Sequence, residues 1–121
     1  MEIYKRFTFE AAHFLPNVGA DHQCARMHGH SYEVTVTVAG PVGETSGWVA
    51  DFADLSEAMA PVLDALDHRL LNEIAGLGNP TAEHLAAWIW THLAANLPGL
   101  AAVQVAETPR SGAIYRGPDG A

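Results

Sequence analysis

The segment His28–Ala39, with the sequence HGHSYEVTVTVA, alternates between two sets of side chains. From its fifth position onward one set is apolar and comprises Tyr32, Val34, Val36 and Val38. Polar residues fill most of the positions between them. Alternation with a period of two is typical of a strand that buries one face. This segment therefore predicts a β-strand, and it is the clearest strand signal in the chain.

Three further segments predict strands. The first runs from Ile3 to His13 and alternates in the same way, with Phe7, Phe9 and His13 among the residues of one face. A third predicted strand has Val103, Val105 and Glu107 on one face, and a short fourth covers Gly112 to Arg116.

Two segments have the spacing of amphipathic helices. The first follows a predicted capping box of Asp54 and Glu57, and Pro61 inside it should kink the helix or shift its start. The second runs from about Thr81 to Asn96 and stops before Pro98-Gly99. The order is strand, strand, helix, helix, strand, strand. It predicts an α+β fold in which a four-stranded antiparallel sheet carries both helices on one face.

The chain of 121 residues predicts a single domain over 1–121. Two free sheet edges favour pairing with other copies, so we expect a ring-like homo-oligomer. The net charge of −8 argues against nucleic acid or an anionic membrane as partner and favours a small molecule. With one cysteine and no long apolar run, the expected compartment is the cytoplasm.

Three histidines have the arrangement of metal ligands. His28 and His30 are two positions apart on a predicted strand, so both imidazoles project from one face. That face is otherwise apolar, where unpaired imidazoles would be costly. His13 ends the neighbouring strand and would lie beside them. Three neutral imidazoles suit Zn²⁺ with an open fourth position, so His13, His28 and His30 predict a catalytic zinc site.

Other polar residues could complete this site, each with an alternative. Cys24 is either a fourth zinc ligand or a thiolate that moves a proton beside the metal. Asp67 and His68 could turn toward the site from the end of the first helix, or His68 could simply cap that helix together with Arg69. The remaining histidines predict surface or packing roles and are His22, His84 and His92.

Glu107 would share an inward face with two valines, where a carboxylate needs a donor. A ligand with two adjacent N–H groups, such as an aminopyrimidinone, would satisfy it in bidentate fashion. The alternative partner is Arg110 or Arg116. Some of the six cations could also converge on an anion, although they are dispersed along the sequence at Lys5, Arg6, Arg26, Arg69, Arg110 and Arg116.

Six motifs together resemble the 6-pyruvoyltetrahydropterin synthase family and cover nearly the whole chain. They are FTFEAAH (7–13), CARMHGH (24–30), GWVADFADL (47–55), LDHRLLN (66–72), NPTAEHLA (79–86) and ETPRSGAIYRG (107–117). The resemblance implies the tunnelling fold, an oligomeric barrel whose subunits have a four-stranded antiparallel sheet with two helices after the second strand. It also implies a homohexamer with sites between subunits, so that Asp67 and His68 would act at a neighbour's zinc.

The resemblance further implies a role for each candidate residue. His13, His28 and His30 would bind zinc, Cys24 would be the catalytic thiol, and Asp67 with His68 would transfer protons. Glu107 and Thr81 would bind the pterin. Pro109 and Arg110 depart from the small or polar residues that are common in the family, which affects the rim of the pterin pocket.

The short spacing between Cys24 and His28 resembles the 6-carboxytetrahydropterin synthase branch of 7-deazapurine and queuosine biosynthesis. That branch converts 7,8-dihydroneopterin triphosphate to 6-carboxy-5,6,7,8-tetrahydropterin, acetaldehyde and triphosphate. Three alternatives remain: a 6-pyruvoyl product from the same substrate, an enzyme acting on another pterin, and an inactive zinc-stabilised interaction module.

Overall fold

A computed structural model describes residues 1–119. Its strands and helices, in chain order, are β1 (Glu2–His13), β2 (His28–Ala39), α1 (Phe52–Leu66), β3 (Arg69–Leu70), α2 (Ala82–Ala94), β4 (Leu100–Thr108) and β5 (Ser111–Tyr115). Single 3₁₀ turns at Gln23–Ala25 and Leu71–Glu73 follow β1 and β3. The predicted α+β order is confirmed, with both helices between β2 and β4.

The sheet has the strand order β3-β1-β2-β4-β5. The four predicted strands pair in antiparallel fashion, and β1 lies against β2 so that His13 is directly opposite His28. The predicted count of four strands was one short, because β3 pairs in parallel with Ala11 and Ala12 of β1. Two residues are too few for an alternation pattern, so the sequence gives no signal for β3.

One face of the sheet packs against the two helices and forms the hydrophobic core. The sheet contributes Phe9, Tyr32, Val34, Val36, Val103 and Val105, all nearly inaccessible to solvent. The helices contribute Leu55, Met59, Leu66, Leu85, Ile89 and Leu93. The alternating apolar positions predicted for β1, β2 and β4 are therefore the buried ones, and this fixes which side chains of each strand point toward the helices.

The start of α1 differs from the prediction. Asp51, not Asp54, is the N-cap residue, since it is extended and its carboxylate accepts a hydrogen bond of 2.9 Å from the Ala53 amide. Helical hydrogen bonding can therefore begin about a turn earlier, and Asp54 lies in the first turn. The helix continues through Pro61. At the start of α2 the Thr81 hydroxyl accepts from the His84 amide at 3.2 Å.

None of the helices within residues 1–119 combines the length and the apolar composition that a membrane span requires.

Candidate active site

The three predicted metal-binding histidines lie together where β1 ends and β2 begins. His13 and His28 are opposite each other across the two strands, and His30 is opposite Ala11. All three imidazoles project from the core-facing side of the sheet, because their positions match the alternation of Phe9 and Tyr32. One ring nitrogen from each residue lies within 4.8 Å of the others. The predicted grouping is confirmed, and these residues could hold a metal ion.

Backbone carbonyls fix the orientation of two of these rings. Nδ1 of His13 donates to the Pro80 carbonyl at 2.8 Å, and Nδ1 of His28 donates to the Arg26 carbonyl at 2.7 Å. Because a carbonyl only accepts, each Nδ1 carries a proton and each neutral ring presents the Nε2 lone pair. The two Nε2 atoms are 2.9 Å apart. Two lone pairs this close repel, and a cation between them would relieve the repulsion.

His30 supplies the third nitrogen. Its Nε2 is buried and has no hydrogen-bond partner within residues 1–119. Burial, followed by the nearby rings of His13 and His28, lowers the pKa of His30, while Glu107 opposes this shift. The imidazole therefore stays neutral to lower pH than an ordinary histidine, and the neutral form is the one that binds metals. A buried nitrogen without a partner fits a metal ligand.

Glu107 reaches the same pocket from β4. The β4–β5 register shifts between Ala106 and Thr108, so Glu107 lies in a bulge. Its Oε2 is 3.7 Å from Nε2 of His30. The predicted inward orientation agrees with this contact, and the ion pair of Glu107 involves His30, not Arg110 or Arg116. One carboxylate therefore lies next to the histidine cluster with no arginine bound to it in residues 1–119.

Tyr32 forms the floor beneath the cluster, a role that sequence reasoning missed. Its side chain is fully buried, and its hydroxyl lies 3.2 Å from Nδ1 of His13. Burial and then the Glu107 carboxylate raise the pKa of this phenol, so Tyr32 stays protonated. The only sequence signal was its place on the face that also carries His28 and His30.

Cys24 lies in the 3₁₀ turn before β2 and is partly exposed. Its thiol is not part of the ligand cluster in residues 1–119, which consists of the three histidines alone. Its backbone is held on two sides: the amide donates to Nδ1 of His22 at 3.0 Å, and the carbonyl accepts from the Leu15 amide at 2.7 Å. His22, predicted to be a surface or packing residue, thus contacts the loop that carries the thiol.

Asp67 and His68 form a hydrogen-bonded pair at the other side of β1. Nδ1 of His68 is 3.0 Å from Oδ2 of Asp67, while Oδ1 of Asp67 accepts from the Glu10 amide at 2.9 Å. The His68 amide donates to the Glu10 carbonyl at 2.6 Å. His68 is the only residue other than glycine with a positive φ in residues 1–119, 58°, a conformation that costs energy and often marks functional positions.

Within one chain this pair does not meet the histidine cluster. His68 is largely exposed and lines an open groove of about 510 Å³ along the neighbouring ends of β1 and β2, together with Glu10, Ser31 and Arg69. Glu10 and Ser31 belong to the outward-facing positions of their strands. The alternative of helix capping is not what the side chains do, because His68 bonds to Asp67 and the backbone of Asp67 closes α1.

The Asp67 carboxyl gives a pH-dependent prediction. The Glu10 amide, and then His68, lower its pKa below the usual value. A group with a lowered folded-state pKa stabilises the protein above its unfolded pKa of about 3.9, and the effect disappears as the pH falls through the folded value. We expect Asp67→Asn to melt below the wild type at neutral pH and the gap to close below about pH 4. Thermal unfolding across this range measures it.

Asp64→Asn is the matched control, because it removes one exposed carboxylate of α1 and accounts for the change in net charge. A gap between Asp67→Asn and the wild type that keeps its size down to about pH 2 would contradict the prediction.

Four other predicted residues have local roles. Thr81 caps α2 and lies next to Pro80, whose carbonyl holds His13. His84 and His92 bond to backbone carbonyls at the surface of α2, as predicted. Of the cations, Lys5 donates to Ser56 and Arg6 pairs with Glu33, so these two are engaged elsewhere, whereas Arg69 lines the groove beside His68.

A sequence profile of 6-pyruvoyl tetrahydropterin synthase matches residues 2–118. The chain belongs to the 6-pyruvoyl tetrahydropterin synthase family. It is 44% identical to a 6-carboxy-5,6,7,8-tetrahydropterin synthase of Synechocystis over 122 residues, which cover 96% of this chain and 93% of that protein. It is also 37% identical to a dihydroneopterin monophosphate aldolase of Pyrococcus furiosus over 97 residues, covering 80% of this chain and 78% of that protein.

The three-dimensional comparison agrees with this assignment. The structure of the Caenorhabditis elegans 6-pyruvoyl tetrahydropterin synthase superimposes with a TM-score of 0.88 at 29% identity, covering 97% of this chain and 95% of that one. The family resemblance predicted from six motifs is confirmed, and with it the subunit fold of this pterin synthase family.

Proposed function

We propose that this protein is a zinc-dependent 6-carboxy-5,6,7,8-tetrahydropterin synthase, a carbon–carbon lyase of 7-deazapurine (queuosine) biosynthesis. It would convert 7,8-dihydroneopterin triphosphate into 6-carboxytetrahydropterin, acetaldehyde and triphosphate. The observation that carries the proposal is the cluster of three histidine nitrogens beside the Glu107 carboxylate, with Nε2 of His30 buried and unpartnered. The choice of product is supported by the 44% identical relative of that name.

His13, His28 and His30 would hold the metal, and a donor set of three imidazoles suits Zn²⁺. The carbonyls of Pro80 and Arg26 keep two of the rings turned so that Nε2 is available. When bound, zinc supplies a Lewis acid that polarises the side-chain hydroxyls of the substrate. The buried Tyr32 beneath the cluster excludes water from that side.

Glu107 would anchor the pterin ring. A carboxylate without an arginine partner can accept from the two adjacent N–H groups of an aminopyrimidinone. Its position 3.7 Å from His30 would bring the ring close to the metal ligands, so that the side chain of the pterin lies over the cluster. Thr81 would add a contact from the start of α2, next to the Pro80 carbonyl that orients His13.

Cys24 would act as the base that removes a proton from the substrate side chain, and His68, oriented by Asp67, would relay protons. The pair Asp67–His68 lies in the outer groove and the histidine cluster on the core side, so a second copy would have to supply the pair. This arrangement, and the free edge that β1 presents beyond β3, support a homohexamer with shared sites.

One experiment tests the reaction. The zinc-loaded protein is incubated with 7,8-dihydroneopterin triphosphate, and the products are identified by mass together with acetaldehyde and triphosphate. We expect all three products in equal amounts. Triphosphate without acetaldehyde would favour the 6-pyruvoyl alternative, and turnover of dihydroneopterin monophosphate instead would favour the activity named for the Pyrococcus relative. Zinc binding without any turnover would leave an inactive zinc-stabilised module.

Glu107→Gln should raise the KM for the pterin substrate by about 10–100-fold, because a hydrogen bond to a charged group is worth about 1.5–3 kcal/mol. Glutamine keeps the shape of the side chain but offers one acceptor and one donor, so it cannot accept from both N–H groups. Steady-state kinetics on the zinc-loaded variant measures the change. Glu33→Gln, on the outer side of β2, is the control and should leave KM unchanged.

A further inference from the structure

A six-residue segment after α1, residues 67–72, is tied along the end of β1, and we call it the strap. At its beginning, Asp67 and His68 bond to the amide and the carbonyl of Glu10. In its middle, β3 pairs with Ala11 and Ala12. At its end, Asn72 bonds to the backbone next to His13. The strap therefore follows β1 from Glu10 to Phe14, and it carries the pair Asp67–His68 along the strand that carries a metal ligand.

The side chain of Asn72 uses both halves of its amide on a single residue. Oδ1 accepts from the Phe14 amide at 3.0 Å, and Nδ2 donates to the Phe14 carbonyl at 2.9 Å. Both bonds are partly shielded from solvent. This is the pair of bonds that a neighbouring strand would make, so the Asn72 amide continues the β1–β3 pairing where β3 has ended.

Phe14 directly follows His13, and this gives the two bonds their consequence. The His13 ring is held by the Pro80 carbonyl, and the backbone behind it is held by Asn72. Without Asn72, the end of β1 would keep its pairing with β2 but would lose the support on its other edge. The direction of Nε2 of His13 would then be less well defined.

We propose that Asn72 is a positioning residue that fixes His13 for metal binding and couples the histidine cluster to the pair Asp67–His68 through the strap. The coupling to proton transfer rests on the function proposed above, whereas the effect on metal affinity does not. Because linkage is reciprocal, a metal ion that orders His13 also steadies the strap, and a steadier strap raises metal affinity.

Two substitutions separate the halves of the clamp. Asn72→Ala removes both hydrogen bonds. Asn72→Asp keeps an acceptor for the Phe14 amide but directs a second oxygen at the Phe14 carbonyl, which repels it. Leu97→Ala is the matched control, since it removes core volume beside the helices and lowers stability without touching the strap.

The first measurement is the affinity for Zn²⁺, by competition with a chromophoric chelator. Partners one step beyond a metal ligand change affinity by about 10–100-fold, and we expect Asn72→Ala and Asn72→Asp to bind Zn²⁺ about tenfold more weakly than wild type. Leu97→Ala should bind within about twofold of wild type, although it melts at lower temperature. Wild-type affinity in both Asn72 variants, or an equal loss in Leu97→Ala, would overturn the proposal.

The second measurement uses the wild-type protein, so it does not depend on whether a variant folds. Amide hydrogen exchange is compared with and without Zn²⁺. We expect the His68 and Phe14 amides to exchange about tenfold more slowly with the metal, in line with the affinity change expected for the variants. Unchanged exchange at His68 would overturn the coupling. A protein without pterin turnover but with Asn72-dependent zinc affinity would disprove the proposed function and leave the clamp standing.

Discussion

Replacing His30 with alanine should lower the affinity for Zn²⁺ by more than about 100-fold, because removing a ligand exceeds the 10–100-fold loss seen for the partners of ligands. Zinc at about 100 times Kd stabilises a protein by about 2.7 kcal/mol, or about 10 °C in melting temperature for a chain of this size. This zinc-dependent shift should disappear in His30→Ala. Scanning calorimetry with and without the metal measures it.

The same substitution has a second signature in the metal-free protein. Nε2 of His30 is buried without a partner, so its removal breaks no hydrogen bond. The metal-free variant should therefore melt within a few degrees of the metal-free wild type, with only the loss of packing to account for. His92→Ala is the control: it removes a histidine that bonds to the Trp88 carbonyl on α2, and it should keep the full zinc shift. A zinc shift that survives in His30→Ala would rule out this residue as a ligand.

The histidine cluster could be predicted because it depends on strand periodicity alone. His28 and His30 share a face by their spacing, and the antiparallel pairing of β1 with β2 is the simplest connection between two adjacent strands. The register then puts His13 opposite His28. The apolar residues of the same faces become the core, so one alternation pattern predicts both the fold and the metal centre.

The parts that could not be predicted depend on tertiary contacts. The choice of Asp51 over Asp54 as the helix cap depends on where the preceding chain is extended. The left-handed backbone of His68 is held by the bond of its amide to Glu10, a residue distant in the sequence. The clamp of Asn72 on Phe14 spans 58 positions. Asn and His have many local uses, so their roles are visible only once the strap lies against β1.

The bulge at Glu107 shows how far the sequence argument extends. Alternation predicted that this side chain would face inward, and it does contact His30. Alternation did not predict the shift of register between Ala106 and Thr108. A bulge turns a side chain without changing the residue pattern, so the direction of the carboxylate depends on the hairpin between β4 and β5.

Replacing Cys24 with alanine should lower kcat by about 10²–10⁴-fold, the range for loss of a general base. The affinity for Zn²⁺ should stay within about threefold of wild type, because the thiol is not part of the histidine cluster. The fold should also be kept, since the bonds of Cys24 to His22 and Leu15 involve only its backbone. Stopped-assay turnover of 7,8-dihydroneopterin triphosphate and chelator competition measure the two quantities on one preparation.

The value of this variant is that the two open roles of the thiol predict opposite results. A fourth ligand that closes the zinc site would make Cys24→Ala lose metal affinity along with activity, and adding excess Zn²⁺ would restore part of that activity. A base that stands beside the metal would leave the affinity intact, and no amount of Zn²⁺ would restore turnover. Met27→Leu, an exposed change in the same loop, is the control for disturbance of the loop itself. Full activity in Cys24→Ala would contradict both roles, and the proton would then have to be taken by His68 of a neighbouring copy.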